Sequence, residues 1–293
     1  MDKYKEIIDN QIGQNMGTNL FHEDGFSLEF SKEYLQEIEG IKYLDNSSLD
    51  LLTNYAVSRC LEEFYRINQY YNFDDRAKEE LKEIYDNLFI RIKEKSVPYE
   101  EIFRLHSSNL KRWLEKSNTF AKEIYKTEAE ILEPVACAEY SADMQLDILQ
   151  LDISVLHTPV LDIGCGKAAN LVKYLRENCI EAFGIDRFPN DSPYIENANW
   201  LDYDYVVNKW GAIISNLGFS NHFRHHHLRE DGNYIGYAKK YMQILYSLKI
   251  DGSFHYAPNL PFIEQYLDIN TYRIEKKDIG CNGLCSVKVT RLI

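Results

Sequence analysis

The stretch from Thr158 to Asn170, TPVLDIGCGKAAN, constrains the fold more than any other part of the chain. Its short apolar run from Val160 to Ile163 predicts a strand that is covered on both faces. Gly164 and Gly166 predict a tight turn, in which the backbone approaches a ligand without interference from Cβ atoms. A helix from Ala168 to Arg176 is expected next, with its unpaired N–H groups directed at that ligand.

Asp162 narrows the kind of ligand that this turn would bind. The spacing Gly164-x-Gly166-x-x-Ala169 also fits the dinucleotide-binding fingerprint, in which a pyrophosphate lies at the helix N-terminus. A carboxylate at the end of the strand would repel a pyrophosphate, whereas it would attract a ligand with a cationic end. The acidic residue therefore argues against a dinucleotide.

At this motif the chain resembles the class I S-adenosylmethionine-dependent methyltransferases, whose first motif is an acidic residue, any residue and then Gly-x-Gly-x-Gly. Asp162, Gly164 and Gly166 match the motif, and Ala168 replaces the last glycine. The resemblance implies S-adenosyl-L-methionine as cofactor, with S-adenosyl-L-homocysteine as product, and places Asp162 near the methionine ammonium. It also implies an α/β fold with a doubly wound, mostly parallel seven-stranded sheet that ends in an antiparallel hairpin.

Composition and charge limit the kinds of partner, such as membranes and nucleic acids, that the chain is expected to bind. The chain has 293 residues, 45% apolar and 27% charged, which is typical of a globular protein. No apolar run approaches the roughly 20 residues that cross a bilayer, and the N-terminal residues lack the apolar core of a signal peptide. We therefore expect a cytoplasmic protein that does not enter a membrane. The first 150 residues hold 18 Lys and Arg against 30 Asp and Glu, which disfavours a nucleic-acid partner.

The N-terminal half is expected to be an all-α domain. There is no glycine between Ile41 and Ile163, and apolar residues recur there at helical spacing, which predicts at least four helices. Proline disfavours helix in the residue before it, so a hinge is expected near Glu133-Pro134. We predict a helical cap or substrate-recognition domain over residues 1–133 and a Rossmann-like methyltransferase domain over residues 134–293.

The segment before the first strand contains Tyr140 and Ser141, followed by a predicted helix from Ala142 to Leu149 that Ser141 would cap. In methyltransferases that resemble this chain, the corresponding segment often folds over the cofactor as a lid. Tyr140 would then pack on the ligand. A tyrosine of the hydrophobic core is the alternative.

Asp186 ends the second predicted strand, Glu181 to Asp186. Asp186 follows Gly166 by 20 positions in the sequence, which suits one helix and a return strand. Its carboxylate is therefore expected beside the glycine turn, where it could accept hydrogen bonds from both hydroxyls of a ribose. The alternative is a helix cap or an exposed loop acid. The predicted cofactor-binding residues also include Cys165, inside the turn, and Arg187, directly after Asp186.

Asp202 follows a third predicted strand that starts at Asn197. The resemblance gives an acidic residue at this point a hydrogen bond with the adenine amino group, and gives Tyr203 the adjacent contact. An N-cap for a helix over residues 203–209 is the alternative reading of Asp202, and the two roles are compatible.

The fourth predicted strand, Ala212 to Leu217, is expected to lie beside the first strand across the switch point of the sheet. The segment Asn216-Leu217-Gly218-Phe219 partly matches the Asn-Pro-Pro-Phe/Tyr motif that amino-group methyltransferases use to hold a planar nitrogen. Both prolines are missing, so oxygen and nitrogen both remain possible acceptor atoms. Asn216 and Phe219 are the predicted acceptor contacts, and Asn216 also borders the cofactor.

Four histidines, His222 and His225 to His227, follow this strand. A solvated loop is the main prediction for them, although His222 and His226 could share a helical face and hold a metal. No carboxylate or cysteine nearby completes a recognisable metal-binding pattern, so no metal is predicted. His222 is also a candidate general base, because an imidazole could take the acceptor's proton as the methyl group arrives.

The C-terminal part predicts a helix from Tyr234 to Leu248, a strand from Ser253 to Tyr256 and a hairpin across Asn282-Gly283. Cys281 and Cys285 could face each other in that hairpin. The combined prediction is methyl transfer to an oxygen or nitrogen of a small molecule that binds between the 216–222 segment and the helical cap. Open alternatives are a nucleic-acid or protein N-methyltransferase, a catalytically silent cofactor-binding module and a dinucleotide-dependent oxidoreductase.

Overall fold

A computed structural model describes residues 1–22, 28, 30, 31, 34, 37–95, 97–126, 128–133, 140–280 and 284–293. The chain divides into two compact units, Met1–Cys137 and Ala138–Ile293. The hinge predicted at Glu133-Pro134 falls at the edge of residues 134–139, which lie outside the described residues.

The Met1–Cys137 unit is built from helices. Their bounds are α1 Asp2–Gln14, a 3₁₀ helix Glu39–Tyr43, α2 Asn46–Ile67, α3 Asp75–Glu94, α4 Tyr99–Ser117 and α5 Phe120–Tyr125. Asp74 caps α3, because its carboxylate accepts a hydrogen bond from the backbone N–H of Ala77 at 2.8 Å. Trp113 on α4 stacks on Phe73, with ring centroids 4.7 Å apart, so aromatic packing joins α4 to the segment before α3.

The Ala138–Ile293 unit alternates helices and strands. Its helices are α6 Ala142–Leu149, a 3₁₀ helix Ile153–Val155, α7 Asn170–Glu177, α8 Phe219–His227, α9 Tyr234–Ser247 and α10 Pro261–Glu264. Its strands are β1 Val160–Ile163, β2 Ala182–Asp186, β3 Ile195–Asn197, β4 Trp210–Asn216, β5 Leu248–Ala257, β6 Tyr272–Asp278 and β7 Cys285–Arg291.

The described strands form one seven-stranded sheet in the order β3-β2-β1-β4-β5-β7-β6. The pairs among β1 to β5 are parallel, whereas β7 runs antiparallel to both β5 and β6. The direction of strand order reverses at β1, between β2 and β4, and ligands of such sheets bind beyond the carboxyl ends of the strands at this point. The predicted fold class is confirmed.

Strand β1 is buried along its whole length because the sheet is covered on both faces. Leu161 and Ile163 belong to the apolar cluster formed with α8 and α9, and Val160 belongs to the cluster formed with α7. Since successive side chains of a strand alternate between faces, Asp162 lies on the same face as Val160. The carboxylate that the sequence singled out is therefore part of an otherwise apolar layer.

Two predicted boundaries and one predicted helix between β1 and β4 were wrong. Helix α7 begins at Asn170 rather than Ala168, because Ala169 takes a left-handed conformation with φ of +48° and prolongs the turn. Strand β3 ends at Asn197, where the sequence prediction had it begin, since it pairs with Gly184 to Asp186 of β2. The predicted helix over residues 203–209 does not form, and Val206 and Asn208 have positive φ there.

The predicted C-terminal hairpin strands are confirmed as β6 and β7. The Asn282-Gly283 turn and Cys281 lie outside the described residues, and Cys285 carries a free thiol. Helix α9 and strand β5 also form as predicted, although β5 starts five residues earlier, at Leu248. Among the residues described, no helix has the length and apolar character needed to cross a membrane.

Replacing Leu161 by alanine is expected to lower the free energy of unfolding by about 2–5 kcal/mol, because the side chain is fully buried in β1 and the change leaves a cavity. Leu228→Ala removes the same atoms from an exposed position and should change it by less than about 0.5 kcal/mol. Urea denaturation followed by circular dichroism measures both, and equal effects of the two variants would contradict the burial of β1.

Candidate functional site

The turn after β1 has the backbone conformation that its glycines predicted. Gly164 and Gly166 both have φ of +75°, a region that residues with a Cβ atom rarely adopt. A Cβ atom on Gly164 would lie 2.9 Å from Cζ3 of Trp200, which is closer than real Cβ contacts. Any larger residue at position 164 would therefore require both a strained backbone and a displaced indole.

Hydrogen bonds fix this turn against the end of β2. The N–H groups of Gly164 and Cys165 donate to the carbonyl of Ile185 at 2.9 and 3.2 Å. The N–H of Gly166 donates to Oδ2 of Asp186 at 2.9 Å, and the N–H of Phe188 donates to Oδ1 of Asp186 at 3.0 Å. Asp186 thus lies beside the glycine turn, as predicted, and also organises it.

Asp162 is a buried carboxyl group in this arrangement, with 1% of its surface exposed. Its Oδ2 atom has no hydrogen-bond partner among the described residues. Burial, together with the nearby charge of Asp186, raises the pKa of Asp162 to about 7. Leaving such a group unpaired is costly, so the position favours a ligand that brings a cation or a hydrogen-bond donor.

Trp200 completes the wall of the site, and the sequence prediction missed this role. Its ring lies against the turn at Gly164, and a Cβ atom on Gly218 would lie 3.6 Å from Cζ3 of its indole. It also meets the ring of His222 edge to face, with centroids 4.8 Å apart. The indole therefore joins the ends of β1 and β4, and the small residues at positions 164 and 218 are the sequence signal for it.

Asp202 and Tyr203 follow Trp200 in a turn and not at a strand end. The N–H groups of both residues donate to the carbonyl of Asn199, at 2.9 and 3.0 Å. Asp202 is exposed and Tyr203 is half-buried. Because no helix follows, the N-cap reading of Asp202 was wrong, and its carboxylate remains available for a ligand.

The end of β4 is tied to β1 through a serine. Oγ of Ser215 donates to the carbonyl of Ile163 at 2.9 Å and accepts from the N–H of Phe219 at 3.1 Å. The next residue, Asn216, has a buried Oδ1 atom without a hydrogen-bond partner among the described residues. Asp162 and Asn216 thus leave unpaired oxygens on neighbouring strands.

Phe219 does not have the position that an acceptor contact requires. Its side chain is fully buried and packs against Phe223, Tyr237 and Phe254. The reason is that α8 begins at this residue and its apolar face covers the sheet. The predicted contact between Phe219 and the acceptor is therefore not supported by the structure.

The solvated loop predicted for the histidines was wrong, because residues 219–227 form α8. His222 is buried, and its Nδ1 lies 3.5 Å from the hydroxyl oxygen of Tyr237. Burial, with a smaller effect of Arg187, holds the pKa of His222 well below its usual value. The ring is therefore neutral at pH 7, and its burial against Trp200 and Tyr237 favours a packing role, while the role as general base stays a prediction.

The other histidines of α8 also pack on aromatic rings. His226 stacks on Tyr237 with centroids 4.8 Å apart, and His227 stacks on Phe262 at 3.8 Å. Among the described parts of the chain, no group of three or more His, Cys, Asp or Glu side chains could hold a metal ion.

Tyr140 contacts the start of α7, and Arg187 follows the carboxylate that binds the turn. The carbonyl of Tyr140 accepts hydrogen bonds from the side chains of Asn170 and Gln145, at 3.1 and 3.0 Å, which holds Tyr140 near the start of α7. Arg187 directly follows Asp186. The side chain of Asp186 is buried, and that of Arg187 is partly buried. Residues 134–139, the rest of the predicted lid, lie outside the described residues.

No family model matches the chain, and no curated protein matches it. Among solved structures, the chain is similar to the N-methyltransferase NodS from Bradyrhizobium japonicum WM9, with 12% identity, a TM-score of 0.37 and coverage of 51% of this chain and 94% of that one. It is also similar to the 1,6-didemethyltoxoflavin-N1-methyltransferase from Burkholderia thailandensis, with 13% identity, a TM-score of 0.35 and coverage of 68% and 92%.

A third similar structure is the spermidine synthase from Thermotoga maritima, with 17% identity, a TM-score of 0.33 and coverage of 51% and 59%. The chain is also similar to a chain in the complex between the Haloferax volcanii Trm112 methyltransferase activator and a methyltransferase, with 17% identity and a TM-score of 0.29. The similarity covers 39% of this chain and 53% of the matched chain. The chain thus spans about half the length of that protein. At such identities and TM-scores these similarities assign no residue.

The sheet itself defines the fold class. The described strands form a mostly parallel seven-stranded sheet that is finished by an antiparallel pair, and this is the fold class that the resemblance of the first motif implies. The resemblance seen in the first motif is therefore matched by the architecture around it.

The raised pKa of Asp162 predicts a specific dependence of stability on pH. Between about pH 4 and 7 the folded chain keeps a proton on Asp162 that the unfolded chain has lost, so this group lowers stability as pH rises through that window. Asp162→Asn removes this titration. The difference in free energy of unfolding between the variant and wild type should therefore rise, in favour of the variant, by about 1 kcal/mol for each pH unit in that window. Thermal denaturation of both proteins from pH 5 to 8 measures this, and parallel pH profiles would contradict the assignment.

Proposed function

We propose that this chain is an S-adenosylmethionine-dependent methyltransferase that acts on an oxygen or nitrogen of a small molecule. The observation that carries the proposal is the buried Oδ2 of Asp162 at the switch point of the sheet, which has no hydrogen-bond partner in the described part of the chain. A ligand with an ammonium group would satisfy this atom and lower the pKa of the carboxyl. A pyrophosphate would instead add negative charge beside Asp162 and Asp186, which argues against a dinucleotide-dependent oxidoreductase.

The residues around the turn fit the rest of the cofactor. Gly164, Cys165 and Gly166 would offer backbone close to it, and Asp186 would accept hydrogen bonds from the ribose. Both Asp186 oxygens already accept one N–H each, and a carboxylate oxygen can accept more than one hydrogen bond. The further residues proposed to border the cofactor are Asp202 at the adenine amine, Tyr203, Arg187, Asn216 and Tyr140.

Methyl transfer from S-adenosylmethionine would require little from the protein beyond correct placement of the methyl acceptor. When bound, S-adenosylmethionine supplies an activated methyl group on a sulfonium with a neutral leaving group. The chain's own contribution would be to hold the acceptor in line with that group and to exclude water, which can lower the barrier by several kcal/mol. Trp200 presents an aromatic ring at this end of the sheet, and such a ring is attracted to a cationic centre.

Asn216 is the proposed contact for the methyl acceptor. Its buried Oδ1 atom is a hydrogen-bond acceptor without a partner among the described residues, so it suits an O–H or N–H of the molecule to be methylated. This preference does not separate oxygen from nitrogen. We assign His222 and Phe219 to packing of α8, and we propose the Met1–Cys137 unit as the substrate-recognition domain.

The charge of the chain favours a small-molecule acceptor over a nucleic acid. With a formal net charge of −13, the chain lacks the excess of Lys and Arg that phosphate binding requires. Cys60, Cys179 and Cys285 carry free thiols, which supports a reducing compartment and hence a cytoplasmic location.

Asp186→Ala is expected to weaken the binding of S-adenosylmethionine by about tenfold to a hundredfold, because hydrogen bonds to a charged group contribute roughly 1.5–3 kcal/mol. Isothermal titration calorimetry measures the affinity. Asp191→Ala, which removes an exposed carboxylate from the loop after β2, is the matched control and should bind like wild type. Wild-type affinity in Asp186→Ala would contradict the ribose assignment.

Incubation of the purified chain with isotope-labelled S-adenosylmethionine and a metabolite extract should yield a small molecule that has gained one labelled methyl group. Mass spectrometry detects the product, and Asp162→Asn should reduce its formation. Cofactor binding without any methylated product would indicate a silent binding module. Label found only in protein or nucleic acid would indicate the macromolecular alternative.

A further inference from the structure

The Met1–Cys137 unit contains a cavity of about 110 Å³. The described residues that line it come from α1 to α4 and from the chain between α1 and α2. They are mostly apolar, and five of the described lining residues carry phenyl or phenol rings: Phe30, Tyr34, Phe64, Tyr85 and Phe89. The cavity is formed within this unit, and its lining includes none of the residues assigned to the cofactor.

The size and lining of the cavity suit a single ring. Apolar cavities of about 150 Å³ in proteins stay dry and bind compounds of the size of benzene. Ala56 is fully buried at the wall on α2, where its single methyl leaves room that a larger side chain would fill. A close-packed interior rarely leaves such a space, so an occupant is the simplest physical reason for it.

A histidine at the cavity wall has a buried ring nitrogen that makes no hydrogen bond with the described residues. His106 lines the cavity, its side chain is 6% exposed, and its Nδ1 has no hydrogen-bond partner among the described residues. Its ring meets Tyr85 edge to face at 5.0 Å. Burial lowers the pKa of His106 to about 4, so the ring is neutral at pH 7. A neutral imidazole nitrogen either donates or accepts one hydrogen bond, and a hydroxyl group can serve as partner in both cases.

Two other polar side chains of the wall, those of Glu63 and Cys60, already interact with neighbouring residues. Glu63 accepts hydrogen bonds from Arg66 and from the N–H of Gly17, so its charge is balanced. The thiol of Cys60 interacts with the hydroxyl of Tyr85. The cavity therefore offers no uncompensated charge from these groups, which disfavours an ionic ligand.

We propose that the cavity of the helical unit is a binding site for a small monocyclic aromatic compound with one hydroxyl group, which hydrogen bonds to Nδ1 of His106. This goes beyond the proposed methyl transfer, because the site lies within the Met1–Cys137 unit and its occupancy does not require the cofactor.

Phenol and toluene are the probes, since they differ only in the group that would face His106. Their binding to the full chain without cofactor is followed by saturation-transfer NMR and calorimetry. Transfer from water into an apolar cavity favours toluene, so phenol binding as tightly as toluene would indicate a hydrogen bond. In His106→Leu, the affinity for phenol relative to toluene should fall about tenfold, which corresponds to one hydrogen bond.

Ala56→Leu should fill the cavity and weaken both probes at least tenfold, whereas Ser58→Leu adds the same side chain at an exposed position of α2 and should leave binding unchanged. Circular dichroism checks the fold of each variant, and Cys60→Leu replaces Ala56→Leu if that protein does not fold. Absence of binding of both probes to wild type would overturn the proposal. Binding that neither cavity-filling variant weakens, or a probe preference unchanged in His106→Leu, would also overturn it.

Discussion

The burial of one carboxyl group at the end of β1 is the constraint around which the Ala138–Ile293 unit is arranged. Asp162 occupies a position that the pleat assigns to an apolar layer, between Val160 on its own strand and the paired residues Gly184 and Ile214 on the two neighbours. Burial in that place raises the pKa of the carboxyl group and destabilises the fold unless a cation or a hydrogen-bond donor stabilises the carboxylate. Folded proteins keep such groups mainly at sites of function, where a ligand supplies the compensation.

Hydrogen bonds fix the backbone of the turn and of the strand ends around Asp162. Asp186 binds the backbone of the glycine turn, and Ser215 connects the end of β1 to the start of α8. Since these contacts use backbone groups of the turn and of the strand ends, the turn keeps its shape without a ligand. The ends of β1, β2 and β4 thus form one preorganised edge, which would lower the cost of ordering the proposed cofactor.

The sequence predicted the parts of this unit whose signals are local. The apolar run of β1, the positive φ of Gly164 and Gly166, and the position of Asp186 all follow from short patterns. The errors arose where distant contacts decide the structure. Helix α8 begins at Phe219, and its N-cap residue Gly218 provides no side-chain cap. Its histidines pack against Trp200, Tyr237 and Phe262, so their composition alone suggested a loop. Strand β3 is only three residues long and is defined by its pairing with β2, which no local pattern reveals. The place of Trp200 follows from the same long-range packing.

The most direct measurement is an NMR titration of the Asp162 side-chain carboxyl carbon in the full chain, with and without S-adenosylmethionine. In the protein alone the pKa of Asp162 is predicted to be about 7, because the group is buried beside Asp186. Saturation with S-adenosylmethionine should lower that pKa by about 1–3 units, since an opposite charge nearby favours the carboxylate. An ordinary aspartate pKa in the protein alone, or a pKa that S-adenosylmethionine does not change, would contradict the central role of this residue.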